Sequence, residues 1–132
     1  MDIRPVTVSS TDAKFRQLVR VGELSLDADE PKDLGGDDAG LAPHELVLAG
    51  LGACTSMTLR MYAERKGWPL SAVRVVLGAE RGTPFTITRR IELEGPLDAE
   101  QRQRLLEIAN KCPVHKTLTG AIAIESELAE NP

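Results

Sequence analysis

A chain of 132 residues, 42% of them hydrophobic, has the size and apolar content of one domain able to bury a core without disulfide or metal staples. Only 3% of the residues are aromatic and the formal net charge is −4. With its arginines dispersed rather than gathered into a stripe, the chain is poorly suited to stacking on bases or gripping a phosphate backbone, so nucleic acid is not expected as a partner. The opening MDIRPVTVSS has an acidic second residue and no apolar run behind it, unlike a signal or transit peptide. The expected place is the cytoplasm, where two cysteines stay reduced and a disulfide between them would be transient and catalytic rather than structural.

Ile3 to Ser9, Phe15 to Val21 and Glu23 to Leu26 alternate loosely between apolar and polar residues, which predicts three strands. Asp27 to Gly40, DADEPKDLGGDDAG, has no apolar period and reads as a solvated connector, and its acidic spacing does not match an EF-hand. Pro43 suits the first helical position and Glu45 favours the positive end of a helix. Lys66-Gly67-Trp68-Pro69 supplies a cation, a glycine for a left-handed cap and a proline beyond, so a helix is predicted from Pro43 to about Lys66.

Within that helix, Leu46 to Ala63, LVLAGLGACTSMTLRMYA, is the longest apolar run of the chain and carries Cys54. Arg60 breaks it, Gly50, Gly52, Thr55 and Ser56 dilute it, and it falls short of the roughly 20 apolar residues a membrane span needs. A helix apolar nearly all round must be covered all round. One sheet covers one face, so a second subunit is expected on another, where Ala49, Gly50, Gly52 and Ala53 would allow close approach. Met57 and Met61 are assigned to the core, and Trp68 to an anchor at the helix end.

Ala72 to Arg81 and Phe85 to Glu94 read as a hairpin around Gly82-Thr83-Pro84. Asp98 and Gln101 form a capping-box pattern before a second helix whose Leu105, Leu106, Ile108 and Ala109 make one buried face, ending near Asn110. After Gly120, AIAIESEL is expected as a last strand. The order β-β-β-α-β-β-α-β is an α+β plan over residues 1–132 as a single domain, too antiparallel for dinucleotide binding.

Composition alone makes two cysteines inert core residues. Their settings differ from that baseline. Cys54 lies well inside its helix, where the dipole cannot activate it, so activation would need a neighbouring cation, an arginine or a histidine. Cys112 sits at a helix end, held extended by Pro113, with Lys111 and His115 beside it. A zinc site could draw on Cys112 and His115 with Cys54 and His44, but structural zinc sites show two close-spaced ligand pairs and only one is present, so no metal is expected. The one glycine pair, Gly35-Gly36, lies in an acidic loop that would repel phosphate, and no serine stands out as a nucleophile. His115 is assigned as a hydrogen-bonded structural residue, and Lys111 and Lys116 as solvated.

The segment from Gly35-Gly36 through Pro43-His44-Glu45-Leu46 into Ala49-Gly50-Leu51-Gly52-Ala53-Cys54-Thr55, followed by Asn110-Lys111-Cys112-Pro113-Val114-His115-Lys116-Thr117-Leu118, resembles the OsmC/Ohr family of osmotically induced and organic-hydroperoxide-resistance proteins. The resemblance covers nearly the whole chain in the same element order. Met57 to Ala63 with Lys66-Gly67 looks most like the OsmC-like redox-protein branch. The resemblance implies an OsmC/Ohr-like fold with a long buried central helix and an intertwined homodimer with two active sites at the interface. It also implies a peroxidatic Cys54 that forms a sulfenate, a resolving Cys112 that converts it to a disulfide, organic hydroperoxides as substrates, a dithiol and lipoyl-linked reductant, and no cofactor.

Two departures from the family pattern bear on activity. The well-studied members place a glutamate directly after the motif proline, where this chain has His44, with Glu45 next. They also use an arginine from the N-terminal strands, for which Arg16 and Arg20 are the candidates. Glu45 and Cys54 are nine residues apart, roughly 13 Å along a straight helix and on opposite faces, so contact between them would require another subunit or a broken helix. The alternative reading is a non-enzymatic redox-sensing or small apolar ligand-binding dimer, and a purely structural dimer is the third.

Overall fold

A computed structural model describes residues 3–130. The chain packs as two compact units, the first ending at Ala49 and the second starting at Gly50.

In the first unit, β1 (Thr7–Ser10), β2 (Gln17–Val21) and β3 (Leu24–Ala28) form an antiparallel meander in that order. Thr7 faces Arg20 across the first pair and Val21 faces Leu24 across the second. The alternating pattern marks all three strands, although pairing begins only at Thr7, beyond Pro5, which has no N–H to give. The sheet faces are largely open, with Val8 56%, Leu24 64% and Leu26 46% exposed.

The acidic connector is more structured than its composition suggests. It holds a short 3-10 turn at Lys32–Leu34 and closes around Asp29, a residue only 3% exposed. That carboxylate accepts the backbone N–H groups of Glu30 at 2.8 Å, Asp37 at 3.1 Å and Ala39 at 3.1 Å. The Asp29 N–H donates to the Leu41 carbonyl at 3.1 Å, and Leu41 bridges Ala28 in parallel. Gly36 passes so close to this turn that a Cβ there would lie 2.0 Å from the Glu30 carbonyl oxygen. Periodicity misses such a loop because one side chain and its backbone donors, not an apolar face, hold it together.

Helix α1 (Pro43–Lys66) begins and ends as its sequence dictates. Pro43 occupies the first turn, and Glu45 Oε1 accepts the Ala42 N–H at 2.8 Å. At the other end Gly67 takes φ 70°, the Gly67 N–H donates to Glu64 and the Trp68 N–H to Ala63, the paired bonds of a glycine-terminated helix.

The second unit packs the rest of α1 with β4 (Ala72–Glu80), β5 (Thr86–Glu94) and α2 (Ala99–Ala109). β4 and β5 are antiparallel, from Ala72 opposite Glu94 to Glu80 opposite Thr86. The capping box of α2 forms: Asp98 accepts the Gln101 N–H at 2.7 Å and Gln101 accepts the Asp98 N–H at 2.9 Å. Leu59, Ala63, Leu105 and Ala109 are sealed in one cluster, with Ile91 and Leu93 of β5 packed against it. Trp68 anchors the helix end as expected, edge-on to Tyr62 with ring centroids 5.5 Å apart. Gly52 admits Leu77 of β4, where a Cβ would stand 2.8 Å from Leu77 Cδ1, so this small residue serves contact within the chain. α1 has the length and apolarity of a membrane span, but Leu59, Tyr62 and Ala63 lie in the core cluster and Arg60 donates to the Leu70 and Ser71 carbonyls, which makes it a core helix.

Three expectations are corrected. AIAIESEL forms no strand: residues 121–130 have no regular structure, and Ile122, Ile124 and Leu128 are 59%, 85% and 98% exposed. Alternation creates only the capacity for a strand, which a neighbouring ladder must realise. Before this segment stands an additional helix, α3 (Pro113–Thr119), with Pro113 at its first position. Met57 and Met61 are not core residues, being 65% and 63% exposed, because with Gly50 and Cys54 they line the side of α1 away from the cluster. The observed order is β-β-β-α-β-β-α-α, an α+β fold with two small sheets.

The Asp29 staple carries a pH signature. Burial pushes its pKa up, but the N–H bonds from Ala39, Glu30 and Asp37, with the Arg16 charge, outweigh this and hold it below the ordinary carboxylate range. A depressed folded-state pKa stabilises the fold fully above the unfolded value of about 4 and loses that contribution as pH falls through the folded value. Asp29→Asn should therefore be less stable than the parent at pH 7, with the gap shrinking as pH drops below about 4 in denaturant titrations. A gap independent of pH would contradict the staple.

Candidate active site

The start of α3 brings the two cysteines together. Cys112 is its N-cap residue, extended at φ −66° and ψ 148°, with Sγ 3.4 Å from the His115 N–H. The preceding amide, Val114 N–H, points at Cys54 Sγ, also at 3.4 Å. Consecutive amides of one helical turn thus donate to both sulfurs. N–H groups at a helix start are orphan donors that favour anionic acceptors, a thiolate among them. The thiols differ in access: Cys112 is fully buried, whereas Cys54 is half-buried.

Thr55, next to Cys54 and fully buried, links this pair to a cation. Its hydroxyl donates to the Leu51 carbonyl at 2.7 Å and accepts Arg89 Nη1–H at 3.0 Å. A hydroxyl has one proton and two lone pairs. With that proton committed to Leu51, the second lone pair faces Cys112 Sγ at 3.9 Å.

Arg89 continues the network on its other side, its Nη2 standing 3.0 Å from Asn110 Oδ1 and 3.0 Å from His115 Nδ1. Because the guanidinium can only donate, Nδ1 accepts and the His115 proton sits on Nε2. Burial first, and the Arg89 charge second, push the His115 pKa below its ordinary 6.5, so the imidazole is neutral at pH 7. A cavity of about 400 Å³ lies against Arg89, Asn110 and His115, walled by Leu51, Ile87 and Leu106 among others, and neither sulfur lines it.

Of the residues singled out in the sequence, Cys54 and Cys112 meet in the second unit. Glu45, Arg16 and Arg20 belong to the first. There Glu45 caps the start of α1, Arg16 lends its charge to Asp29 and Arg20 is exposed. The arginine beside the cysteine pair is Arg89, which sequence reading overlooked. A signal was available, because Ile87, Arg89, Ile91 and Leu93 share one strand face by alternation, and an arginine inside an otherwise apolar face is rarely there for solubility. Thr55 and Asn110 sit inside the two cysteine motifs but acquire roles only through Arg89. Lys111 and Lys116 are exposed, as expected. Among the described residues no three His, Cys, Asp or Glu side chains gather as a metal would require.

The family model described as OsmC-like protein matches residues 35–127, which include both cysteines and Arg89. The chain belongs to the OsmC family. Its fold is shared by the OsmC-like protein of Mycoplasma pneumoniae, at 21% identity and a TM-score of 0.77 over 91% of this chain and 90% of that one. It is also shared by the organic hydroperoxide resistance protein OhrB of Bacillus subtilis, at 23% identity and a TM-score of 0.63 over 89% and 91%. An organic hydroperoxide resistance protein OsmC from Legionella pneumophila gives 22% identity and a TM-score of 0.62 over 91% and 93%. No curated protein sequence matches.

Within this OsmC fold the Arg89 network is directly measurable. Arg89→Met removes the charge beside His115 and should raise the imidazole pKa, followed by NMR, toward but not fully to the ordinary 6.5, because burial is the larger cause and remains. An unchanged value would separate Arg89 from His115 in solution.

Proposed function

We propose that the protein is a thiol peroxidase that reduces organic hydroperoxides, with Cys54 as the attacking thiolate and Cys112 as the resolving thiol. The single observation carrying this reading is the pair of 3.4 Å contacts from Val114 and His115, which puts an accessible sulfur and a buried sulfur on consecutive amides. In the first step the Cys54 thiolate attacks the distal peroxide oxygen. An S–O bond forms, the O–O bond breaks, and the alkoxide takes a proton from solvent to leave as the alcohol. Cys54 is oxidised to the sulfenic acid as the peroxide is reduced. Cys112 then attacks the Cys54 sulfur, and its thiol proton leaves with the sulfenic hydroxyl as water while the S–S bond forms. A dithiol, lipoyl-linked reductant restores both thiols by exchange.

The protein is read as a homodimer in a reducing, cytoplasmic setting. The support is exposed apolar surface that a single chain leaves open: Met57 and Met61 beside Cys54 on α1, Leu24 and Leu26 on the first sheet, and the alternating Ile122 and Ile124 of the C-terminal segment. Monomeric proteins rarely expose so much apolar surface without a partner. Glu45, Arg16 and Arg20 belong to the first unit, whereas Arg89 is supplied by the unit that holds Cys54. A second reading, a redox-sensing or small apolar ligand-binding dimer without fast turnover, draws on the cavity that neither sulfur lines.

The two readings separate in one assay. With excess dithiol, the parent should consume cumene hydroperoxide through many turnovers, and Cys54→Ser should lower the rate by at least about 100-fold, as expected on losing a nucleophile. Oxidation of the parent no faster than that of free cysteine would end the peroxidase reading and leave the ligand-binding one.

A further inference from the structure

The cavity beside Arg89 has a charge problem that no carboxylate among the described residues solves. Among the described residues the ion pairs join Arg74 and Arg90 to Glu92 and Arg104 to Glu107, and no carboxylate pairs with Arg89. Its partners Thr55, Asn110 and His115 are all neutral. A half-buried cation held by neutral dipoles is poorly screened and attracts an anion.

Hydrogen-bond accounting gives the polar end of the cavity its sense. Asn110 spends its acceptor oxygen on Arg89, which leaves its NH₂ group to donate. His115 spends Nδ1 on Arg89, which leaves Nε2–H. Of the five guanidinium N–H donors, three are used and two remain. The Thr119 hydroxyl sends its proton to the His115 carbonyl at 2.9 Å and is the one side-chain acceptor on the lining. The remaining walls, among them Phe85, Ile87, Leu106 and Leu118, are apolar.

We propose that this cavity of about 400 Å³ binds a small carboxylic acid with an apolar body, its carboxylate held by Arg89, Asn110 and His115 and its chain lying against the apolar walls. Donors in excess, one uncompensated cation and greasy walls define an amphipathic monoanion rather than a sugar, a cation or a neutral oil. The site stands whether or not Cys54 turns over peroxide. Where it does, occupancy couples to the cysteines, because the guanidinium that holds the carboxylate also holds Thr55 and through it Cys112.

The test is an NMR titration of the full-length protein with hexanoate, reading the His115 ring resonances and pKa. Hexanoate should shift the ring signals saturably and raise the His115 pKa, since an anion beside Arg89 offsets its charge, while hexanol and inorganic phosphate should do neither at matched concentration. Arg89→Met should abolish the effect, and the surface variant Arg74→Met should leave it intact. Asn110→Asp supplies an internal carboxylate to Arg89 and should also abolish it, which keeps the test decisive if Arg89→Met does not fold. Equal effects of hexanol or phosphate, undiminished hexanoate binding in Asn110→Asp, or no response of the parent would each overturn the proposal. Peroxide consumption is measured separately, so its loss or survival does not bear on this outcome.

Discussion

The first turn of α3 holds the second unit's chemistry in place. Seven residues, Pro113–Thr119, form a helix too short to be stable alone, yet its opening amides are shared between two sulfurs from distant parts of the sequence. Cys112 caps the helix from its own start and Cys54 approaches from α1. Because the same donors cap the helix and receive the thiols, capping and thiol placement are a single interaction. Any change that frays this turn separates the sulfurs as it uncaps the helix.

A second layer extends this arrangement outward. Thr55 is fixed by its bond to Leu51 within α1 and so presents defined lone pairs to Arg89 and Cys112. Arg89 comes from β5 and ties together α1, the end of α2 at Asn110 and α3 at His115. Four elements of the unit converge on one guanidinium. The arrangement orients the imidazole and assigns its tautomer, and of the two sulfurs Cys54 is the more accessible.

Much of the fold was legible in the sequence because local rules governed it. The stop of α1 at Lys66-Gly67, the capping box at Asp98 and Gln101, and the alternation of β1 to β5 all express short-range stereochemistry. The misreadings have physical reasons of their own. AIAIESEL carries strand alternation but pairs with no strand of the described chain, and pairing is not a property of the segment itself. Met57 and Met61 share the apolarity of core residues yet face away from the core cluster, because a helix apolar on all sides does not declare which side is covered. The loop around Asp29 had no period to detect. At the site, Cys54 and Cys112 were legible from their motifs, while Arg89 was not, since its partners lie 34, 21 and 26 residues away. Only the misplaced arginine on an apolar strand face hinted at it.

The central claim is that the two sulfurs on adjacent amides form one redox couple, and the most direct measurement is peptide mapping by mass spectrometry after one equivalent of cumene hydroperoxide per reduced chain. The account predicts a single intrachain link between Cys54 and Cys112, formed in one-to-one proportion to peroxide consumed. Cys54 carried on to the sulfinic or sulfonic acid with Cys112 still free, or a disulfide joining two chains, would contradict it.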